Sequence, residues 1–152
     1  ARPFDIVVTT NSGYPLDLNL YQGVKGMSAA ARIVKQGGTI ILAAECREGF
    51  PPGSPCEQLL RSVRGPVELL EKLRAAPAPH PEQWQAQIQA LILRRARVLL
   101  HSRMRDEDVR AGHLIPCPDI AAEVRRLAGA HGAPLRVAVL PPGPLTIAYL
   151  KS

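Results

Sequence analysis

A tyrosine, a glutamine and a lysine lie close together in a stretch whose apolar spacing predicts a helix over about residues 18–35. Tyr21 and Lys25 are four residues apart, so their side chains leave such a helix on one side, and Gln22 borders that side. We call these three residues the polar face. A phenol beside an ammonium group is suited to binding a carboxylate, because both donate hydrogen bonds. The alternative is an ordinary polar flank, since tyrosine and lysine often extend along helix surfaces toward water.

The rest of this helix supplies packing surfaces. The predicted core stripe comprises Leu20, Val24, Met27, Ala31 and Val34, and a strip of small residues beside it comprises Gly23, Gly26 and Ala30. Asp17 is the predicted N-cap, so residues 11–15 form the loop between the first strand and the helix. Loops at the carboxyl ends of strands bind ligands in open α/β sheets, which favours a functional role for the polar face.

Short apolar runs that alternate with helical segments predict the elements that position this helix. The predicted strands cover residues 5–10, 39–44, 97–101, 136–140 and 146–150, and the helices about 18–35, 56–75 with a break at Gly65 and Pro66, 82–95 and 118–131. This pattern predicts a three-layer α/β domain with a mainly parallel sheet of about five strands and helices on both faces. Too few residues separate the last two strands for a crossover helix, so we expect one antiparallel edge.

Length and composition limit the class of protein. A chain of 152 residues fits one domain, and it begins without a methionine, so we expect 1–152 to be a single domain and a fragment of a longer protein. No apolar run is long enough to cross a membrane. Three scattered cysteines are typical of a reducing compartment and predict a cytoplasmic location. The net charge of +6 comes mainly from arginine, but few aromatic residues lie between the basic ones, which makes nucleic-acid binding an unfavoured interpretation.

Other residues that could carry chemistry have simpler explanations. The four histidines, His80, His101, His113 and His131, lie in different segments without the close spacing of a zinc motif, so we expect no metal site from this chain alone. Cys46 near a histidine could form a nucleophile pair, but a free cysteine at a strand end is more often a small buried hydrophobe. Glu45 either faces a cleft or caps the following turn, and Trp84 is predicted to pack in the core.

Residues 5–27, which include the Tyr-Gln-x-x-Lys pattern of the polar face, resemble the opening of the C-terminal domain of the nickel-dependent lactate racemase family. The segments Gly38–Cys46 and 80–87 (His-Pro-Glu-Gln-Trp-Gln-Ala-Gln) are also similar to that family. The resemblance extends through most of the chain and is most specific in residues 5–27.

The resemblance implies an isomerase of two domains, a 2-hydroxyacid racemase or epimerase with its active site between them. It implies a nickel-pincer nucleotide that takes hydride from C2 of a small 2-hydroxy acid and returns it to either face of the keto acid. The nickel ligand, the lysine that can tether the cofactor and the acid/base histidines are expected in the N-terminal domain, the partner of this chain. Here Tyr21 and Lys25 are expected to hold the substrate carboxylate, and Gln22 and Lys25 to border the cofactor.

No catalytic or metal-ligating residue is therefore expected in this chain, and the isolated domain is expected to be inactive. The competing hypothesis is a non-catalytic α/β module that binds an anionic ligand or nucleic acid through its arginine-rich surface.

Overall fold

Five short strands form one sheet in a computed structural model that describes residues 2–151. They are β1 (Phe4–Thr10), β2 (Val34–Ala43), β3 (Arg97–His101), β4 (Ile115–Pro116) and β5 (Val137–Leu140), in the spatial order β4-β3-β2-β1-β5. All four strand pairs are parallel. Their carboxyl ends therefore meet at one edge of the sheet, where the loops after β1, β2 and β3 lie side by side.

Helices cover both faces of this sheet, as expected, but unequally. The six helices are α1 (Leu20–Ala31), α2 (Pro55–Arg61), α3 (Pro66–Ala75), α4 (Gln83–Arg95), α5 (Asp106–Ala111) and α6 (Ile120–His131). One face packs with α1 to α4 into the main core, to which the alternate strand residues Val7, Ile40 and Leu100 belong. On the other face α6 alone contacts a small cluster of Ile6, Ile41, Leu99 and Cys117.

The predicted antiparallel edge is wrong. Residues 146–150 do not form a strand; they follow a short 3-10 turn, Gly143–Leu145, which packs against α1. The Arg32 Nε donates to the Ala148 carbonyl at 3.0 Å, and Ala148 is buried in the main core. The fifth strand is instead β4, whose two residues pair with β3 in parallel. The apolar alternation correctly indicated extended chain, but its partner is a helix rather than a strand.

Two boundaries of α1 also differ from the prediction. Asn19, not Asp17, is the N-cap: its backbone is extended and its side chain accepts from the Gln22 N–H. The helix ends at Ala31, and β2 already begins at Val34, with a register irregularity before Thr39 that accommodates Gly37 and Gly38.

Trp84 is not a core residue, contrary to the prediction, because 52% of its surface is exposed. The inward side of α4 carries Gln85 and Gln89 instead, whose amides donate to the carbonyls of Tyr21 and Gly112. The Nε2 groups of both amides thus have backbone acceptors, whereas the buried Gln89 Oε1 has no hydrogen-bond partner among the described residues. Among the residues described, no helix is long and apolar enough to span a membrane.

Candidate functional site

The start of α1 is fixed at the carboxyl edge of the sheet by two asparagines. Asn19 caps the helix, and the Asn11 Oδ1 accepts from the Gly26 N–H at 3.0 Å, which joins the end of β1 to the middle of α1. The Asn11 Nδ2 also donates to the Leu16 carbonyl, which closes the intervening loop. Since Asn11 is fully buried, these contacts hold the polar face in a defined position beside the strand ends.

Tyr21 stands at the first turn of α1 with its ring half-buried against the main core. Its ring meets the exposed indole of Trp84 edge to face, with centroids 5.8 Å apart and an interplanar angle of 82°. Burial, assisted by the nearby Glu82 and Cys56, raises the pKa of the Tyr21 phenol above its ordinary value. The phenol is therefore protonated near neutral pH and can act as a hydrogen-bond donor.

Lys25 lies one turn further along α1 and is exposed. Its Nζ donates to the Gln22 Oε1 at 2.6 Å, and it forms no ion pair with a carboxylate among residues 2–151. An ammonium group carries three hydrogens, so at least two remain for other acceptors. Gln22 thus orients the lysine without neutralising its charge.

The structure therefore brings all three residues of the polar face together on α1. The phenol hydroxyl of Tyr21 makes no hydrogen bond to the part of the chain that the structure describes. A neutral donor and an unneutralised cation one helical turn apart can hold the two oxygens of a carboxylate, and a charge-assisted contact of this kind is among the stronger hydrogen bonds.

A cavity of about 690 Å³ opens where β1, β2 and β3 end, and none of the polar-face residues lines it. Its polar lining includes Thr10, Asp17, Glu45, His101, Ser102 and Arg103. The sequence prediction included Glu45 as a cleft-facing candidate but missed the run His101 to Arg103. The available signal was the position of these residues directly after a strand, the same signal that pointed to residues 11–15.

Glu45 and Cys46, left open by the sequence, have defined positions. Glu45 lines this cavity and its carboxylate lies 3.3 Å from the Arg103 guanidinium. Cys46 is fully buried, and burial raises the pKa of its thiol to about 12, which agrees with the interpretation as a buried hydrophobe and not as a nucleophile. Within residues 2–151 no three histidine, cysteine or carboxylate side chains are grouped to hold a metal ion.

Comparison with known proteins identifies the family. The model of the lactate racemase C-terminal domain matches residues 1–147. The chain belongs to the lactate racemase C-terminal domain family. This membership agrees with the resemblance carried by residues 5–27, and it does not favour the non-catalytic module.

Relatives of this racemase-family domain include two curated lactate racemases. The protein of Thermoanaerobacterium thermosaccharolyticum is 35% identical over 146 residues, and that of Lactiplantibacillus plantarum is 37% identical over 142 residues. These alignments cover 94% and 91% of this chain but only 34% and 33% of the two relatives. The chain thus spans about one third of the length of the lactate racemases it matches.

Solved structures agree with the fold. The lactate racemase apoprotein of T. thermosaccharolyticum superposes with a TM-score of 0.88 at 32% identity, over 99% of this chain and 36% of that one. A Thermotoga maritima protein superposes with a TM-score of 0.54 at 14% identity, over 94% of this chain and 36% of that one, which is a likeness of fold alone.

Proposed function

We propose that this domain is part of a nickel-dependent racemase or epimerase of small, lactate-type 2-hydroxy acids, and that its polar face forms one wall of the active site. Tyr21 and Lys25 bind the substrate carboxylate, while Gln22 and Lys25 border the nickel-pincer nucleotide. The single observation that carries this proposal is the ammonium group of Lys25, oriented by Gln22 at 2.6 Å but not neutralised, in a domain of the lactate racemase family.

The donor set suits an anionic ligand. Lys25 contributes a full positive charge, and the protonated Tyr21 hydroxyl contributes a neutral donor, so a carboxylate exchanges water for two protein contacts. The ring of Tyr21 packs edge to face against that of Trp84, which holds the phenol in place beside Lys25 on α1. A carboxylate held at two points fixes the position of the neighbouring C2 carbon, which is the centre that racemisation inverts.

In this proposal the residues of this chain border the cofactor but do not hold its metal ion. No metal-holding group occurs among the described residues, so the proposal assigns the nickel ligand and the acid/base histidines to the remainder of the longer protein. When bound, the nickel-pincer nucleotide supplies a hydride acceptor for C2. The residues of this chain bind and orient the substrate and exclude water; they do not transfer the proton. The isolated domain is accordingly proposed to be inactive without its N-terminal partner domain.

We also propose a cytoplasmic location. The three cysteines, Cys46, Cys56 and Cys117, are free and buried, which supports folding in a reducing compartment.

The decisive experiment is Lys25→Ala in the full-length protein. Removing a charged contact to the carboxylate costs about 1.5–3 kcal/mol, so kcat/KM should fall by a factor of about ten to more than a hundred. The melting temperature should stay nearly unchanged, because Lys25 is exposed and lies off the core stripe. The matched control is Lys72→Ala, which removes an exposed lysine of α3 whose Nζ donates to the Ser62 hydroxyl at 2.8 Å. Unchanged kcat/KM for Lys25→Ala would show that the polar face is only a solvated helix flank.

A further inference from the structure

The last strand of the sheet and the segment that follows it expose several large apolar side chains. Eleven such side chains are exposed among residues 2–151, and four of them lie within residues 137–147. These four are Val137, Val139, Leu145 and Ile147, which we call the edge surface. A single exposed hydrophobic side chain is ordinary, but a group on one short stretch of chain is typical of a surface that binds another protein segment.

The segment after β5 buries its small residues and exposes its large ones. Gly143 and Ala148 are buried, whereas Leu145 and Ile147 between them are exposed. A Cβ at Gly143 would collide with the Thr10 carbonyl oxygen, so the start of the segment is held closely against the end of β1. Water favours the opposite order, because burial of the large side chains would provide more hydrophobic stabilisation. The outward side of this segment is therefore suited to contact with a further apolar surface.

β5 also has a free edge. It pairs with β1 on one side, and none of the described strands pairs with its other side. Val137 and Val139 are in register with Ile6 and Val8 of β1, so they point to the face that α6 covers, yet both remain exposed. Ala148 belongs to the main core on the opposite face. A strand along this edge would therefore contact the two valines on one face and the segment after β5 on the other.

Positive charges border the edge surface. The Arg136 guanidinium lies over the Phe4 ring, 4.7 Å from its centroid, and the Arg32 Nε donates to the Ala148 carbonyl at 3.0 Å. Neither arginine forms an ion pair with a carboxylate among residues 2–151. A second copy of this chain would bring the same two arginines and a net charge of +6 to the contact, which opposes pairing of two copies. A partner that carries carboxylates beside an apolar segment is complementary instead.

The source of such a partner is the remainder of the longer protein. The chain spans about one third of the length of the lactate racemases it matches, so about two thirds of a protein of this kind lies outside the domain. The four residues of β5 include neither a charge nor a proline, the features that usually block pairing at a free strand edge. An uncovered edge of this type promotes aggregation, and natural proteins ordinarily cover it.

We propose that the edge surface is a docking site for a part of the same polypeptide outside residues 1–152. The docked part is an extended apolar strand, flanked by carboxylates, that pairs with the free edge of β5. Its side chains cover the two valines on one face and the outward side chains of the following segment on the other, and its carboxylates pair with Arg32 and Arg136. This contact is separate from the polar face, and it does not depend on the proposed racemase activity.

Hydroxyl-radical footprinting of the full-length protein tests this proposal, because the oxidation rate of a side chain follows its exposure to water. Two pairs of equal residue type serve as internal controls: Val139, 62% exposed, with Val67 of α3, 56% exposed, and Leu145, 73% exposed, with Leu91 of α4, 50% exposed. Each rate is divided by that of the same residue in urea-unfolded protein. We expect Val139 and Leu145 to react at least about fivefold more slowly than their controls, because a docked interface packs as densely as a protein interior.

The occupant is identified by dilution. Docking within one polypeptide does not depend on protein concentration, so the protection of Val139 and Leu145 should stay constant over about a hundredfold dilution. Protection that disappears on dilution would identify a second copy and overturn the proposal, as would equal rates within each control pair. Alternate β5 amides point away from β1, and rapid hydrogen exchange of these amides in the full-length protein would overturn the strand pairing.

Leu145→Glu places a carboxylate under the docked strand and should raise the oxidation rate of Val139 several-fold, because burial of an unpaired charge opposes docking. Leu91→Glu is the matched control and should leave the rate at Val139 unchanged. Equal effects of the two variants would contradict docking at this edge. If Leu145→Glu does not fold, the footprint of the unaltered protein still decides. The kinetics of Lys25→Ala test the proposed function by a separate measurement, so the failure of one proposal leaves the other interpretable.

Discussion

The rings of Tyr21 and Trp84 meet edge to face with centroids 5.8 Å apart, so an exposed tryptophan of α4 forms one side of the surface on which the Tyr21 hydroxyl lies. Beneath them the Gln85 amide donates to the Tyr21 carbonyl, which fixes α4 against α1 at the same level. The position of the phenol is thus set by its ring and backbone, and not by a hydrogen bond of its hydroxyl.

Tyr21→Phe should separate the hydroxyl from the ring. In the full-length protein, on the proposed function, losing one neutral hydrogen bond of about 0.5–1.5 kcal/mol should lower kcat/KM about two- to tenfold, less than Lys25→Ala does. The melting temperature should hardly change, because the ring contact with Trp84 remains. Tyr149→Phe is the matched control, since Tyr149 is exposed on the 146–150 segment. A fall in kcat/KM as large as that for Lys25→Ala would contradict this prediction, because it would show that the hydroxyl does more than donate one neutral hydrogen bond to the carboxylate.

Gly26→Ala should destabilise the domain. A Cβ at this position would lie 2.7 Å from the Thr10 carbonyl and 3.0 Å from the Leu42 Cδ1, and the carbonyl cannot move without disturbing the end of β1. We expect a loss of about 1–3 kcal/mol in the free energy of unfolding, measured with urea. Gly129→Ala in α6 is the control: its Cβ meets open space, so the better helix propensity of alanine should raise stability by about 0.5–1 kcal/mol. A Gly26→Ala domain as stable as the parent would contradict the close approach of α1 to β1.

The thiols should be unreactive in the folded domain. Burial raises the pKa of both Cys46 and Cys56 from 9.0 to about 12, and the thiolate is the reactive form. Iodoacetamide at pH 8 should therefore label neither until the protein is denatured, as mass spectrometry can measure. Because the unfolded thiols release protons first, the stability associated with the raised pKa values is complete below about pH 9 and is lost between pH 9 and about 12. Rapid labelling of the native domain at pH 8 would contradict this burial.

Asp5 should make the stability of the domain depend on pH in the acid range. The Lys35 ammonium, 2.5 Å from its Oδ1, lowers the pKa of this carboxyl, and the Arg136 N–H, 2.8 Å from its Oδ2, lowers it further. The stabilisation is therefore present above the ordinary pKa of 3.8 and is lost as pH falls through the lower folded-state pKa. Asp5→Asn should reduce the urea midpoint at pH 7, and the difference should shrink in acid.

The control for this pH series is Asp106→Asn, whose exposed carboxylate forms an i,i+4 pair with Arg110 at 3.2 Å. Exposed pairs of this type contribute about 0–1 kcal/mol, so the control should change the midpoint little at either pH. A constant difference between Asp5→Asn and the parent from pH 7 to pH 2 would exclude the linkage.

Local patterns predicted most elements because each apolar run has to be buried somewhere. The run after Asp5 and the run at Arg97 are strands as expected, and the polar face lies together on α1 because i,i+4 spacing determines a helix side. The prediction for Trp84 was wrong because the inward side of α4 carries Gln85 and Gln89 instead. Their amides donate to two backbone carbonyls outside α4. Hydropathy contains no information about those carbonyls.

The cavity could not be predicted from the sequence for a related reason. Asp17, Glu45 and His101 are far apart along the chain, and only the strand order brings the ends of β1, β2 and β3 together. The short β4 and the 146–150 segment show the same limit: a pattern indicates that a segment is extended but does not identify the neighbour it packs against.

The unequal covering of the sheet has a consequence for local opening. None of the α6 residues is fully buried; Ile120, Val124 and Leu127 are only partly buried against the small cluster on their face. This helix can therefore separate from the sheet at a lower free-energy cost than α1, which buries Leu20, Val24 and Met27 in the main core. Its amide hydrogens should therefore exchange with solvent through this partial opening, whereas those of β1 and β2, which also pack against α1 and its neighbours, should exchange only on global unfolding.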